Sequence, residues 1–98
     1  FALIKDDLPI IIIDTNENNR TICRNAMQEV KARGAYVIRI TENESSDESE
    51  ENILYIEKND TFHGLLANIY LQLISYKVSI SLGINPDFPK NLAKCVSV

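Results

Sequence analysis

The sequence predicts an α/β fold, in which a parallel sheet lies between two layers of helices. Two apolar segments rich in β-branched residues, 8–13 and 35–41, have the length and composition of strands. Between them lies a segment with helical periodicity that ends at Gly34. A strand, a helix and a second strand in this order form a βαβ unit, whose strands run parallel through a right-handed crossover. The expectation is therefore a three-layer parallel sheet with flanking helices.

The first predicted strand, residues 8–13, is apolar without alternation, which is typical of a strand that is covered on both faces. Pro9 suits the first position of such a strand. Asp14 follows at the carboxyl end, where α/β folds bind ligands. The residue types also allow a second interpretation, in which Asp14 or Thr15 caps the helix that follows.

The first helix is predicted over residues 16–33, because apolar side chains recur there at three-to-four spacing. A basic last turn followed by Gly34 is typical of a helix C-terminus. The predicted apolar stripe, which we expect to pack on the sheet, consists of Ile22, Cys23, Ala26, Met27 and Val30.

An acidic loop is predicted over residues 42–52, where six carboxylates and three serines stand without a basic residue. This composition favours a solvated, mobile segment. Cation binding, or phosphorylation of the serines, is the alternative interpretation. A calcium loop is disfavoured because the segment has no central glycine.

A third strand is predicted over residues 52–58, followed by a long helix that begins after a cap at Asp60 or Thr61. This helix should extend to about Leu82 and stop at Gly83. His63 lies in its first turn, and we assign it no catalytic role. The helix should be mostly buried, because one wide apolar stripe extends along it. The stripe contains Phe62, Leu65, Leu66, Ile69, Leu73, Ile74, Tyr76 and Ile80.

Composition excludes several classes of function. The 98 residues make one small domain at most, and the net charge of −4 without a basic run disfavours nucleic-acid binding. Two distant cysteines, Cys23 and Cys95, with the single His63 do not make a zinc site. We expect two reduced thiols and neither metal nor cofactor. No apolar run reaches bilayer length and no signal-peptide pattern is present, so we expect a cytoplasmic protein that does not bind membranes.

The C-terminal tail, residues 84–98, is predicted to be extended, because two of its residues are Pro86 and Pro89. Lys94 has small and apolar neighbours in this tail. Partial desolvation of a lysine lowers its pKa and makes the amine nucleophilic. The alternative is a solvated surface lysine, which is the usual state of a lysine near a chain end.

The string 87–98, DFPKNLAKCVSV, resembles the C-terminal signature of the glutamine–fructose-6-phosphate aminotransferases, D-x-P-R-N-L-A-K-S-V-T-V-E. Here Lys90 replaces Arg, Cys95 replaces Ser, Ser97 replaces Thr, and the terminal Glu is absent. Residues 29–34, EVKARG, resemble the family's E-V-x-A-R-G. Residues 71–76, LQLISY, resemble L-Q-L-L-A-Y, although Tyr70 stands where the family has Pro.

This resemblance implies that the chain is the C-terminal part of a sugar isomerase (SIS) domain, so the fold is SIS-like and the domain incomplete. It implies that Lys94 forms an imine with open-chain fructose 6-phosphate and that the backbone of Ala93 contacts the sugar. The family converts fructose 6-phosphate and glutamine into glucosamine 6-phosphate and glutamate. Its catalytic histidine, its proton-moving carboxylate and its phosphate loop lie upstream of the matching segment. We therefore expect a sugar phosphate ligand, a homo-oligomer, and no turnover without the remainder of the enzyme or a partner chain.

Two other functions remain open at this stage. One is a non-catalytic sugar-phosphate binding or regulatory module of the same fold, since fold alone does not fix function. The other is a segment that serves only subunit contact through its long apolar helix. A phospho-acceptor domain is disfavoured, because Asp14 has no companion acidic residues at neighbouring predicted strand ends.

Overall fold

The computed structural model describes residues 1–42, 52–88 and 90. In this part of the chain, three strands form one parallel sheet in the order β1–β2–β3. The strands are β1 (Pro9–Asp14), β2 (Tyr36–Glu42) and β3 (Ile53–Ile56). A 3-10 turn, Glu17–Asn19, leads into α1 (Arg20–Ala32), and α2 (His63–Ser81) follows β3. The predicted α/β class, with a parallel sheet and flanking helices, is confirmed.

The strand register places the carboxyl ends of β1 and β2 side by side. Asp14 pairs with Thr41 in β1–β2, and Glu42 pairs with Ile56 in β2–β3. Parallel pairing brings all three carboxyl ends to one edge, so the segments that follow the strands meet there. Asp14 lies inside β1 rather than after it, so the strand ends one residue later than predicted.

The core between α1 and the sheet is small. Met27, Val30 and Val37 are buried together, with Ile10 and Ile12 of β1 packed against them. Most of the predicted α1 stripe therefore faces inward. Ile22 is the exception: its side chain is 68% exposed. With about 100° between consecutive helical residues, Ile22 lies at the edge of the stripe, about 140° around the helix from the buried Met27.

Gly34 ends α1 as predicted. Its φ of 86° is left-handed, and its amide donates to the carbonyl of Lys31 at 2.9 Å. The next amide, of Ala35, donates to the carbonyl of Val30 at 3.1 Å. These two bonds satisfy carbonyls that the last turn of a helix leaves free. The chain then turns directly into β2, which fixes the short connection of the βαβ unit.

The start of α2 differs from the prediction. The side-chain oxygen of Asn59 accepts hydrogen bonds from the amides of Thr61 at 3.0 Å and Phe62 at 2.8 Å. Asn59 therefore holds the turn that precedes His63, and the expected caps Asp60 and Thr61 do not. The end agrees with the prediction, because Gly83 has a φ of 71° directly beyond the last turn.

The prediction that α2 is mostly buried is wrong for this chain. Ala67 is the single buried residue among those described in the helix. Leu65, Leu73 and Tyr76 of the predicted stripe are 62%, 51% and 52% exposed. A chain of this size does not have enough other residues to cover a helix that is apolar on most of its circumference. Among the described residues, no helix combines the length and the hydrophobicity that crossing a bilayer requires.

Two predicted segments lie largely outside the described residues. In the acidic loop, this applies to residues 43–51, and in the extended tail it applies to 89 and 91–98, which include Ala93, Lys94 and Cys95. Glu42, which was expected in the solvated loop, is instead the last residue of β2 and only 4% exposed. It is buried because the strand continues one residue further than the apolar pattern indicated.

Candidate functional site

Asp14 forms a buried ion pair at the carboxyl end of β1. Its Oδ2 lies 2.7 Å from a guanidinium nitrogen of Arg39 on β2, and the residue is 1% exposed. The hydroxyl of Thr41 donates to the backbone carbonyl of Asp14 at 2.8 Å. Asp14 therefore links β1 to β2, and the prediction that it caps the next helix is wrong. The side chain of Asn16 takes that place by accepting from the amide of Asn18.

A polar cavity of about 280 Å³ lies beyond the ends of β1 and β2. We call it the carboxyl-edge cavity. Three segments build it: the turn after β1, the end of β2, and the start of α2. This is the edge of a parallel sheet where α/β proteins bind ligands. Its lining consists of Thr15, Asn16, Glu17, Asn18, Glu42, Asp60 and His63.

A hydrogen bond between Thr15 and His63 closes one wall of the cavity. Thr15 Oγ1 and His63 Nδ1 are 2.8 Å apart, and the tautomer of the imidazole decides which atom donates. Thr15 is buried and His63 is half-buried. The position of His63 at a helix start agrees with the sequence prediction. Its contact with Thr15 was missed, because the two residues are 48 positions apart.

The cavity carries an excess of negative charge. Glu17, Glu42 and Asp60 contribute three carboxylates to the lining. At the exposed rim, Lys58 Nζ lies 3.3 Å from Glu17 Oε1. The pKa of Lys58 is raised by its hydrogen bond with Glu17 and by the charges of Glu17, Asp60 and Glu42. The ammonium therefore stays protonated and lies near all three carboxylates.

The described residues do not assemble a metal site. No group of three or more His, Cys, Asp or Glu side chains in this part of the chain is arranged to hold an ion. Cys23 lies apart from the cavity, with its Sγ 3.9 Å from the carbonyl of Ile13. Burial, and next the charge of Asp14, raise the pKa of its thiol. The Cys23 thiol is therefore protonated at neutral pH, which agrees with a packing role rather than a nucleophile.

A second acidic residue, Glu42, stands at the carboxyl end of a strand in the structure. Glu42 ends β2 one residue after Thr41, the partner of Asp14, so an acidic residue does stand at the neighbouring strand end, which the sequence analysis did not expect; its side chain belongs to the opposite face of the sheet from that of Asp14. The strand-end rule that singled out Asp14 applies equally to Glu42, once β2 is extended by one residue. The predicted site residues Ala93 and Lys94 lie outside the described residues, so the structure does not relate them to this cavity.

Comparison with known protein families identifies a domain family that matches most of the chain. The SIS domain family matches residues 1–82. Curated relatives extend the similarity over nearly the whole chain. The glutamine–fructose-6-phosphate aminotransferase [isomerizing] of Encephalitozoon cuniculi is 43% identical over 99 residues, which cover 99% of this chain and 14% of the relative. The protein of the same name from Sulfolobus acidocaldarius is 40% identical over 97 residues, which cover 99% of this chain and 16% of that relative.

A viral relative shows the same relationship. The probable glutamine–fructose-6-phosphate aminotransferase [isomerizing] of Acanthamoeba polyphaga mimivirus is 34% identical over 98 residues. The alignment covers 100% of this chain and 16% of the viral protein. The chain thus spans about one sixth of the length of the curated relatives that it matches.

Proposed function

Because this chain belongs to the SIS domain family, we propose that it is the C-terminal isomerase segment of a glutamine–fructose-6-phosphate aminotransferase. The observation that carries the proposal is the alignment of proteins with that name over 99% of this chain's length. In the proposed reaction, the whole enzyme converts fructose 6-phosphate and glutamine into glucosamine 6-phosphate and glutamate. The sugar phosphate is its ligand, and the cytoplasm is its proposed location.

In this proposal Lys94 is the catalytic residue of the segment. Its neutral amine attacks the C2 carbonyl of open-chain fructose 6-phosphate, water leaves, and an imine forms. The imine makes the proton on the adjacent C1 more acidic, as an aldose–ketose shift requires. A base supplied by the remainder of the enzyme removes that proton. The backbone of Ala93 contacts the sugar beside the imine.

The exposed surface of α2 supports the proposal that the segment works within a larger assembly. Ile69, Leu73 and Ile80 are each more than half exposed in this chain. Apolar side chains grouped on one element mark a surface that other protein covers. The remainder of the enzyme is the proposed cover, and a homo-oligomer of the whole enzyme is part of the same proposal.

We predict that Lys94→Arg abolishes both turnover and imine formation in the full-length enzyme. Arginine keeps the positive charge but has no nucleophilic amine at the pH of the reaction. Borohydride reduction in the presence of fructose 6-phosphate should attach a reduced sugar phosphate to the wild-type protein at Lys94, as read by peptide mass spectrometry. The arginine variant should remain unlabelled.

Lys90→Arg is the matched control, because Lys90 lies in the same tail and has the residue that the aminotransferase signature carries at that position. It should keep turnover and labelling. Labelling of the Lys94 variant at another lysine, with activity retained, would contradict the proposed role. Sugar-phosphate binding without any imine in the wild type would favour the regulatory module instead.

A further inference from the structure

Helix α2 has a narrow apolar stripe that its own chain leaves exposed. The four residues of this stripe are each between 51% and 54% exposed: Ile69, Leu73, Tyr76 and Ile80. Their spacing of four, three and four positions keeps them within about 60° of one another around the helix. This is the spacing with which two helices pack side by side in a coiled coil. We call these four residues the α2 stripe.

The α2 stripe lies away from the side of the helix that the chain itself covers. Four residues of the covered side are buried or half-buried: Ala67, Tyr70, Leu71 and Ile74. The centre of this side is about 140° around the helix from the centre of the α2 stripe. A helix that packs only within its own domain needs one apolar side. The second apolar side is therefore a surface for another protein.

Polar residues border the α2 stripe on both sides. Gln72 lies along one margin and Lys77 along the other, and both are exposed. Lys77 is the single charged residue between Ile69 and Ile80, and its ammonium group stays in water at that margin. Apolar surface with a polar rim is typical of a contact between proteins. The stripe offers no charge that would select a partner of a different kind.

We propose that the α2 stripe packs against the α2 stripe of a second copy of this chain, with the two helices antiparallel. The spacing of the stripe is the same in both chain directions. Ile69 therefore meets Ile80 of the partner subunit, and Leu73 meets Tyr76 of the partner subunit. One two-fold axis through the middle of the stripe generates all these contacts, and two-fold symmetry is the commonest symmetry of homo-oligomers.

Side-chain size and helix dipoles favour the antiparallel direction. Each Tyr76 ring then lies opposite the smaller Leu73 side chain, whereas a parallel pair would place two Tyr76 rings in one layer. Alternation of large and small side chains across facing positions fills a helix contact evenly. Antiparallel helices also bring the N-terminal end of each helix beside the C-terminal end of the other, where the opposite ends of the dipoles attract.

The contact forms one part of a larger interface. Half-exposed side chains of this size present roughly 100 Å² each, so two paired stripes bury roughly 800 Å². Specific interfaces bury about 1,200–2,000 Å², so other surfaces of the oligomer complete the interface. This inference rests on the proposed homo-oligomer, in which the remainder of the enzyme includes the second copy, and it narrows the cover of the stripe to that copy's α2.

The test is a disulfide between two copies of the full-length protein that contains this chain. Ile69→Cys and Ile80→Cys are co-expressed as chains of different mass and oxidised with copper phenanthroline. Peptide mass spectrometry should identify a disulfide that joins position 69 of one copy to position 80 of the other. The matched controls are the two variants expressed alone. They should form no such bond, because like positions lie about 16 Å apart in an antiparallel pair, which exceeds the reach of a disulfide.

A further substitution in both chains tests the packing of the stripe. Leu73→Lys should lower the disulfide yield at least about fivefold, because it places an ammonium group in an apolar layer. Ser75→Lys is its control, since Ser75 is exposed and lies outside the stripe, and it should leave the yield unchanged. Should Leu73→Lys fail to fold, the disulfide between positions 69 and 80 decides alone.

Three results overturn the proposal: no disulfide between positions 69 and 80, a disulfide between like positions in either control, or equal yields in the two folded lysine variants. The first is expected if a different segment of the enzyme covers the stripe. Imine labelling at Lys94 is measured separately on the protein without these substitutions. Failure of the proposed reaction is therefore distinguished from failure of this contact.

Discussion

At the scale of single residues, two neighbouring carboxylates show how position decides chemistry. Asp14 and Glu42 end adjacent strands and are both almost fully buried. The guanidinium of Arg39 compensates Asp14 across the strand pair, so that carboxylate serves the sheet. Glu42 instead lines the cavity, where its charge acts on the exposed ammonium of Lys58. The two acids therefore differ in their partners: Asp14 has a buried cation within the sheet, and Glu42 has an exposed one at the cavity rim.

Gly34 gives a testable prediction at the same scale. Gly34→Ala should lower the free energy of unfolding by about 1 kcal/mol or more, because its φ is 86° and an L side chain is strained there. The added Cβ also collides with the side chain of Asp6. Urea unfolding of the domain that contains this chain measures the loss.

Gly64→Ala is the matched control for this substitution. A Cβ at Gly64 meets nothing within 4 Å, and the residue lies in α2. Alanine is a better helix former than glycine by about 1 kcal/mol, so this variant should be neutral or more stable. Equal destabilisation by both substitutions would show that the conformation of Gly34 is not the cause.

At the scale of secondary-structure elements, the N-terminal and C-terminal boundaries of the two helices are set by different kinds of residue. Glycines with positive φ follow both C-termini, and the sequence marks them directly. The N-termini are less regular: α1 begins after a 3-10 turn, and α2 begins after a turn that Asn59 holds. Several side chains before α2 are able to cap it, so composition alone does not choose among them.

The start of α2 therefore provides an element-level prediction. Asn59→Ala should cost about 1 kcal/mol of stability, because two backbone amides, of Thr61 and Phe62, lose their acceptor. Thr61→Ala is the comparison, since the sequence favoured Thr61 as a cap and the structure does not use its side chain. Urea midpoints of the two variants should separate. A larger loss in Thr61→Ala would restore the sequence-based assignment.

At the scale of the whole molecule, incompleteness is the main feature. Helix α1 and the sheet enclose a small core, while most of the large hydrophobic residues of α2 are exposed in this chain. The chain also spans 14–17% of the length of its curated relatives. In the proposed enzyme, this segment contributes residues to a site that the remaining parts complete.

The isolated 98-residue chain should accordingly show no turnover. We expect no interconversion of fructose 6-phosphate and glucose 6-phosphate, because the resemblance assigns the proton-moving carboxylate, the catalytic histidine and the phosphate loop to upstream segments. Proton NMR of the pure chain with fructose 6-phosphate measures this, with the full-length enzyme as the positive control. Isomerisation by the chain alone would show that its own residues supply the base.

The sequence by itself determined the elements and their class. Continuous β-branched runs, an amphipathic stripe and two helix-ending glycines require only local periodicity and backbone sterics. These features predicted the parallel βαβ unit, the third strand and the C-terminal ends of both helices. The tail resemblance likewise depends only on the order of residues, and it pointed to the family that the comparisons support.

Tertiary structure decided the rest, because those properties depend on contacts between distant positions. Asp14 forms a hydrogen bond with Arg39, which is 25 positions away in the sequence, and Thr15 forms one with His63, which is 48 positions away. The burial of Glu42 follows from the register of β2 between its neighbours. Periodicity indicates which face of an element is apolar, but only the packed chain decides how much of that face is covered. Among the described residues of α2, Ala67 is buried, while Leu65, Leu73 and Tyr76 are more than half exposed.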